Sequence, residues 1–137
     1  MNKQIDLNKY KDFVDAVTSD ETKENGAFTT RWVNLVNQRE VDMPRLLTAS
    51  MGLGAEAGEF TEVVKKILFQ GKPLDADNIF HMQRELGDIM WYWMQGCMAL
   101  NIDPNEVIQM NIDKLKARYP GGDFDAHYSE NRQDGDV

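Results

Sequence analysis

The sequence predicts an all-α protein: a helical bundle with two long antiparallel helices, assembling into a homo-oligomer. Three observations carry this. Apolar residues recur at three- and four-residue spacing along most of the chain, and no segment shows the strict alternation of a half-buried strand. Two long segments keep the helical spacing on either side of one stop signal, "QGKPLDAD", so they fold back on each other as neighbours. The second segment carries Met90, Trp91, Trp93, Met94 and Met98 and is apolar on nearly every side. That is more apolar surface than one small subunit covers, which predicts a homodimer or homotetramer.

The elements follow in order. In "LNKYKDFVDAV", Leu7, Tyr10, Val14 and Val17 fall on one helical stripe. Residues 18–30, "TSDETKENGAFTT", are polar and read as a loop, and "RWVNLVNQREVDM" is compatible with a short helix. From Pro44, a first-turn residue, a long helix runs to about Gln70 with the stripe Leu46, Ser50, Leu53, Ala57, Phe60, Val64 and Ile67. A second long helix spans about 77–100 with the stripe Ile79, Met82, Leu86, Ile89, Trp93 and Leu100. Asp103 before Pro104 caps a further helix that reaches about Tyr119. Residues 1–124 read as one domain. Residues 125–137 are acidic and poor in apolar side chains, and read as a flexible tail.

Charge and cysteine usage narrow the function. The net charge is -8 and the sequence pI about 4.7, against a nucleic-acid-coating surface, which needs Lys and Arg in excess. An acidic protein still binds a polyphosphate when a cation sits between them. Cys97 is the single cysteine, so no intrachain disulfide forms, which fits a reducing cytosol. No run of 18 apolar residues and no apolar N-terminal signal region is present, so the expectation is a cytoplasmic protein without a membrane partner.

Two acidic pairs carry the chemistry. "GAEAGEF" places Glu56 and Glu59 three apart, and "ELGDIMWYW" places Glu85 and Asp88 three apart. Residues at i and i+3 share a helix face, so each pair is a two-carboxylate claw. Glu59 lies 14 residues before Pro73 and Glu85 lies 12 after it. At 1.5 Å per residue those depths are about 21 and about 18 Å. Glu56 and Asp88 sit one turn deeper, so the claws face each other at matched depth. Four like charges do not all stay ionised in so small a space without a counter-charge. Carboxylates without His or Cys suit a hard cation, Mg²⁺ or Mn²⁺, which completes its shell with waters and substrate phosphates. The plainer reading of each pair is a solvated helix face. Against it, both pairs border the apolar stripes, and Gly58 and Gly87, poor helix residues, sit inside the claws where small size lets a helix or a substrate approach.

Basic residues extend the pattern. Lys66 is two turns beyond Glu59 on the same face, with Lys65 beside it, and Asn111, Lys114 and Arg118 form one polar stripe. Metal on one side and cations on the other make a clamp for a polyphosphate; the alternative for Lys114 and Arg118 is an ordinary helix C-terminus, where cations are favoured.

These residues resemble the MazG-like all-α nucleoside triphosphate pyrophosphohydrolases. Their pattern is a Glu-x-x-Glu helix, a linker, then a Glu-x-x-Asp helix, and "EAGE" and "ELGD" match it with 25 residues between them. The similarity extends through "GLGAEAGEFTEVVKK", "ELGDIMWYW" and "NIDKLKARYP", about residues 46–120, and Asn111, Lys114 and Arg118 fall where this family has "N-x-x-K…R". "YKDFVDAVTS" is similar to the first helix of compact, often phage-encoded, members. The resemblance implies Mg²⁺-dependent hydrolysis of a (deoxy)nucleoside triphosphate to monophosphate and pyrophosphate. It implies two or three Mg²⁺ held by the carboxylates, and dimers or tetramers with sites near subunit contacts. A Glu of the first claw, Glu56 or Glu59, would orient or deprotonate the water that attacks the α-phosphorus. Lys66, Lys114 and Arg118 would hold the β- and γ-phosphates.

Other residues have a plain and a sharp reading. Trp32 is a candidate base-facing aromatic outside the long helices. His81 is either an exposed residue near a helix start or a substrate contact, and Cys97 is a small core residue. A di-iron carboxylate bundle needs Glu-x-x-His motifs, and neither His81 nor His127 has a Glu three residues before it. The remaining rivals are a pyrophosphohydrolase of another nucleotide, such as phosphoribosyl-ATP or guanosine tetraphosphate, and a non-catalytic cation-binding oligomerisation module.

Overall fold

The computed structural model describes residues 5–132. Among these, α1 (Leu7–Ala16), α2 (Asp20–Lys23), α3 (Asn25–Gln38), α4 (Met43–Phe69), α5 (Ala76–Leu100), α6 (Pro104–Arg118) and α7 (Ala126–Glu130) are the regular elements, and none is a strand. The chain divides into two compact units, one ending at Arg39 and the other starting at Glu40.

In the first unit Asp6 caps α1, accepting from the backbone N–H of Asn8 at 3.0 Å. Residues 18–30 are not the expected loop: they hold α2 and the first turns of α3. The polar residues and Gly26 hid an apolar repeat that straddles the expected boundary, Phe28, Trp32 and Leu35, at four- and three-residue spacing. Phe28 stacks on Trp32 with ring centroids 6.3 Å apart. Gly26 lies in the first turn of the helix. There a glycine interrupts little hydrogen bonding, because the first N–H groups of a helix have no intrahelical partner.

In the second unit α4 packs along α5. The pair is antiparallel, because the start of one helix is tied to the end of the other. The Asp42 N–H donates to Ala99 O at 2.9 Å, and Arg45 Nη1 donates to Gln95 Oε1 at 2.9 Å. At the other end the turn is fixed by its backbone. Gly71 is left-handed at φ +70, which lets the Lys72 N–H return to Lys66 O at 3.1 Å. Asn78, buried at the start of α5, donates from Nδ2 to Pro73 O at 2.8 Å.

The seam between α4 and α5 differs from the expected stripes. Ser50 and Ala57 on α4, and Ile79, Leu86 and Leu100 on α5, are exposed. The buried residues are Ala49, Gly52 and Val63 on α4, with Asn78, Glu85, Cys97 and Ala99 on α5. Each helix is turned by about one residue from its most apolar face. The physical reason is close approach: the seam is closed by small side chains, which score weakly as apolar. A Cβ at Gly52 would run into the Tyr92 ring, and a Cβ at Gly96 would lie 3.8 Å from that of Ala49. Gly58 and Gly87 have nothing within 4 Å of a built Cβ, so it is Gly52 that lets the helices close. Cys97 is a small buried residue, as its sequence context predicts.

After α5, Asn101 adopts a left-handed conformation at φ 54 and α6 begins at Pro104, capped by Asp103. Within the segment expected to be a flexible end, Ala126–Glu130 is the short helix α7, capped by Asp125. Residues 133–137 of that expectation lie outside the described residues.

Candidate metal centre

The rotation of the two helices brings Glu85 into the seam and Glu56 to its edge, while Glu59 and Asp88 stay exposed. The register follows from the packed end. Gly52 lies against Tyr92. One to two turns further along α4 and back along α5 stand Glu56 and Glu59 on one helix and Asp88 and Glu85 on the other. Along the polar line His81, Glu85, Asp88, Tyr92 and Gln95 of α5, Glu85 is buried, Tyr92 and Gln95 are half-buried, and His81 and Asp88 are exposed.

Glu56, Glu59 and Glu85 each offer a carboxylate oxygen, and these oxygens lie within 4.8 Å of one another. Glu85 is buried, Glu56 half-buried and Glu59 exposed, so the cluster opens from the seam toward solvent. Asp88 is exposed and stands outside this trio, though its charge reaches Glu56. The Glu56 carboxyl is raised above its ordinary value. Desolvation is the largest cause, followed by a hydrogen bond to Glu85 and then the negative charges of Glu59, Asp88 and Glu85. Protonated, Glu56 donates to Glu85, and one proton partly offsets the repulsion.

A cation bound among these carboxylates offsets the repulsion more fully than one proton. The donors are all hard oxygens, the set that Mg²⁺ and Mn²⁺ prefer. Two oxygens at opposite sides of one Mg²⁺ lie about 4.2 Å apart, from two bonds of about 2.1 Å. Three oxygens on one octahedral ion include at most one such opposite pair, the others lying about 3.0 Å apart; the trio, within 4.8 Å, closes on such an ion by side-chain adjustment of about 2 Å or less, and Glu56, Glu59 and Glu85 fit it.

The cationic residues are placed as follows. Lys66 Nζ lies 3.1 Å from Glu62 Oε1. This hydrogen bond and the charge of Lys66, with Lys65 and Lys72 adding to it, lower the Glu62 carboxyl below its ordinary value. Glu62 is a residue the sequence reading passed over, although its i, i+4 spacing to Lys66 signals the pair. Asn111, Lys114 and Arg118 share a face of α6, with Arg118 half-buried. Trp32 belongs to α3 of the first unit, half-buried against Phe28. His81, at the edge of the cluster, has Nε2 at 2.9 Å from Glu85 Oε1.

Among the described residues no helix is long and apolar enough to cross a membrane. Residues 46–122 match the MazG nucleotide pyrophosphohydrolase domain. The chain is also similar to the Gene 37 protein of Mycobacterium phage L5, at 40% identity over 74 residues, which are 53% of this chain and 65% of that relative. No solved structure gives a significant match. The domain match spans α6 and all but the first turn of α4, includes both claws, and covers more than half of the 137 residues; this chain belongs to the MazG nucleotide pyrophosphohydrolase family.

Proposed function

We propose that this chain is a Mg²⁺-dependent nucleoside triphosphate pyrophosphohydrolase, with Mn²⁺ as a substitute, releasing nucleoside monophosphate and pyrophosphate. The observation that carries the reading is the convergence of Glu56, Glu59 and Glu85 on the seam of two family-matched helices. Bound there, the cation supplies positive charge against the phosphoryl oxygens of the substrate. Glu85, the buried member, anchors the site. A Glu of the first claw, Glu59 or Glu56, orients an attacking water and takes its proton, the exposure of Glu59 favouring it, while Asp88 extends the donor set at the rim. Lys66, Asn111, Lys114 and Arg118 hold the β- and γ-phosphates, Lys66 exchanging Glu62 for phosphate. Trp32 is the base-facing aromatic in this reading.

Attack at the α-phosphorus is favoured because the sequence lacks the Gly-rich, Lys-containing loop that cradles the γ-phosphate in P-loop enzymes. Its acidic helices offer metal and general-base chemistry at the attacked phosphorus, and its lysines and arginine suit pyrophosphate as leaving group. The active form is a cytoplasmic homodimer or homotetramer, with residues 1–124 as one functional domain. On α5 alone Leu86, Met90, Trp91, Met94 and Met98 are exposed, a surface that calls for a partner copy.

Hydrolysis in ¹⁸O-water tests the chemistry. The label should enter the nucleoside monophosphate and be absent from pyrophosphate. Label in pyrophosphate would mean attack at the β-phosphorus, and a nucleoside diphosphate product would overturn the assignment of roles. The same assay run with phosphoribosyl-ATP and guanosine tetraphosphate distinguishes a related pyrophosphohydrolase.

A further inference from the structure

Glu85 is the buried acid of the cluster, and its side chain is 8% exposed. A carboxylate in that position loses much of its hydration and must be held by other groups. Two are present: Glu56 on the facing helix, with a carboxyl oxygen within 4.8 Å, and His81 one turn earlier on α5, with Nε2 at 2.9 Å from Oε1. A carboxylate is an acceptor and the imidazole N–H a donor, so the polarity of the contact is the same whether His81 is neutral or charged. Nε2 then has no lone pair for a cation. His81 also stands outside the trio whose ligand atoms converge. It touches a candidate ligand without being one.

The geometry points to His81 as a positioning residue: it fixes the Glu85 carboxylate in the rotamer that joins Glu56 and Glu59, so that the cation meets a pre-formed site. This rests on the metal-site reading above. The simpler account is an i, i+4 surface pair that adds a little to helix stability. Such a pair has no reason to involve a buried carboxylate, and it would leave cation affinity untouched. A ligand's hydrogen-bonded outer partner, by contrast, typically governs about 10–100-fold in metal affinity.

The test is a Mn²⁺ titration of the full chain without nucleotide, followed by the EPR signal of free Mn²⁺, at a pH above the ordinary imidazole range. His81→Leu should weaken binding by about 10–100-fold while the unfolding midpoint of the metal-free protein scarcely moves. His81→Gln, whose amide nitrogen can donate from nearly the same place as Nε2, should recover most of the affinity. Equal Mn²⁺ affinity in wild type and His81→Leu overturns the inference. So does an equal loss in both variants accompanied by a fall in stability, which marks a structural role. Electron spin-echo modulation from a directly bound nitrogen, lost in His81→Leu, would make His81 a ligand instead. If wild type binds no Mn²⁺, the metal site itself fails and this role with it. If Glu85→Gln abolishes binding and His81→Leu does not, only the role of His81 falls.

Discussion

The two halves of the α4–α5 seam share one periodicity and opposite chemistry. Toward the start of α4 and the end of α5 the seam is built from Ala49, Gly52, Gly96 and Ala99, small enough for Tyr92 to lie against the bare backbone of Gly52. Toward the turn the same positions are Glu56, Glu59 and Glu85, whose oxygens crowd within 4.8 Å. One half gains from close packing, and the other carries repulsion that only a proton or a cation relieves. The packed half, with the pinned turn at Gly71 and Asn78 beyond the acids, holds the carboxylates in place while they are uncompensated. Stability and candidate function thus occupy successive turns of one interface.

The largest expected effect comes from removing charge in the acidic half. Glu56→Gln and Glu59→Gln should each lower Mg²⁺-dependent pyrophosphate release by more than the about 10–100-fold typical of losing an outer-shell partner. The metal-free fold should stay intact or become slightly steadier, because repulsion is reduced. Unfolding of Glu59→Gln would make that residue structural and break the division between the halves. Chelating the metal from wild type should likewise stop turnover without melting the helices, as followed by circular dichroism.

The next effect sets one substitution against itself. Gly→Ala inside a helix gains about 0.5–1 kcal/mol where the methyl group is free. At Gly58 a Cβ has nothing within 4 Å, so Gly58→Ala should stabilise the metal-free protein by about that amount. At Gly52 the Cβ meets the Tyr92 ring. Overpacking costs about 1–3 kcal/mol, which outweighs the helix gain, so Gly52→Ala should destabilise. Thermal unfolding of the two variants reads both signs, and a shared sign would show that the halves pack alike.

The smallest effect is a pH dependence. Glu56 is raised in the fold, so the stability it contributes is present below the ordinary carboxylate range and is lost as pH rises through its raised value. Gln at this position resembles the protonated form. Glu56→Gln should therefore gain on wild type as pH rises through that window, and lose the advantage below it, in calorimetry with chelator present. Glu62 is lowered by Lys66, so its contribution is present above the ordinary range and fades as pH falls. Glu62→Gln should lose on wild type as pH rises from acid to neutral, the opposite slope from a residue six positions away on the same helix.

The all-α class, the two long helices, the turn between them and the matched depth of the claws were legible in the sequence because they follow from local spacing, capping and chain length. Asp42, Asp75 and Asp103 accept from the N–H groups of Arg45, Asn78 and Asn105 and cap the helices that follow them. Neither the start of α3 nor the true seam was legible. At α3 an apolar repeat crosses a polar stretch, and a boundary drawn on composition cuts it in two. At the seam, a periodicity argument ranks Leu86 above Glu85 and Ala57 above Glu56, since it weighs transfer to an apolar phase and nothing else. What turns α4 and α5 by about one residue is steric: a glycine facing a tyrosine allows an approach that leucines would prevent. That decision belongs to the tertiary structure, because it depends on which two surfaces meet, and it takes Glu85 from the flank to a buried position. The sequence by itself determined that four acids lie within about one turn of each other in a helical hairpin; only packing decided that three converge and that Asp88 stays at the rim.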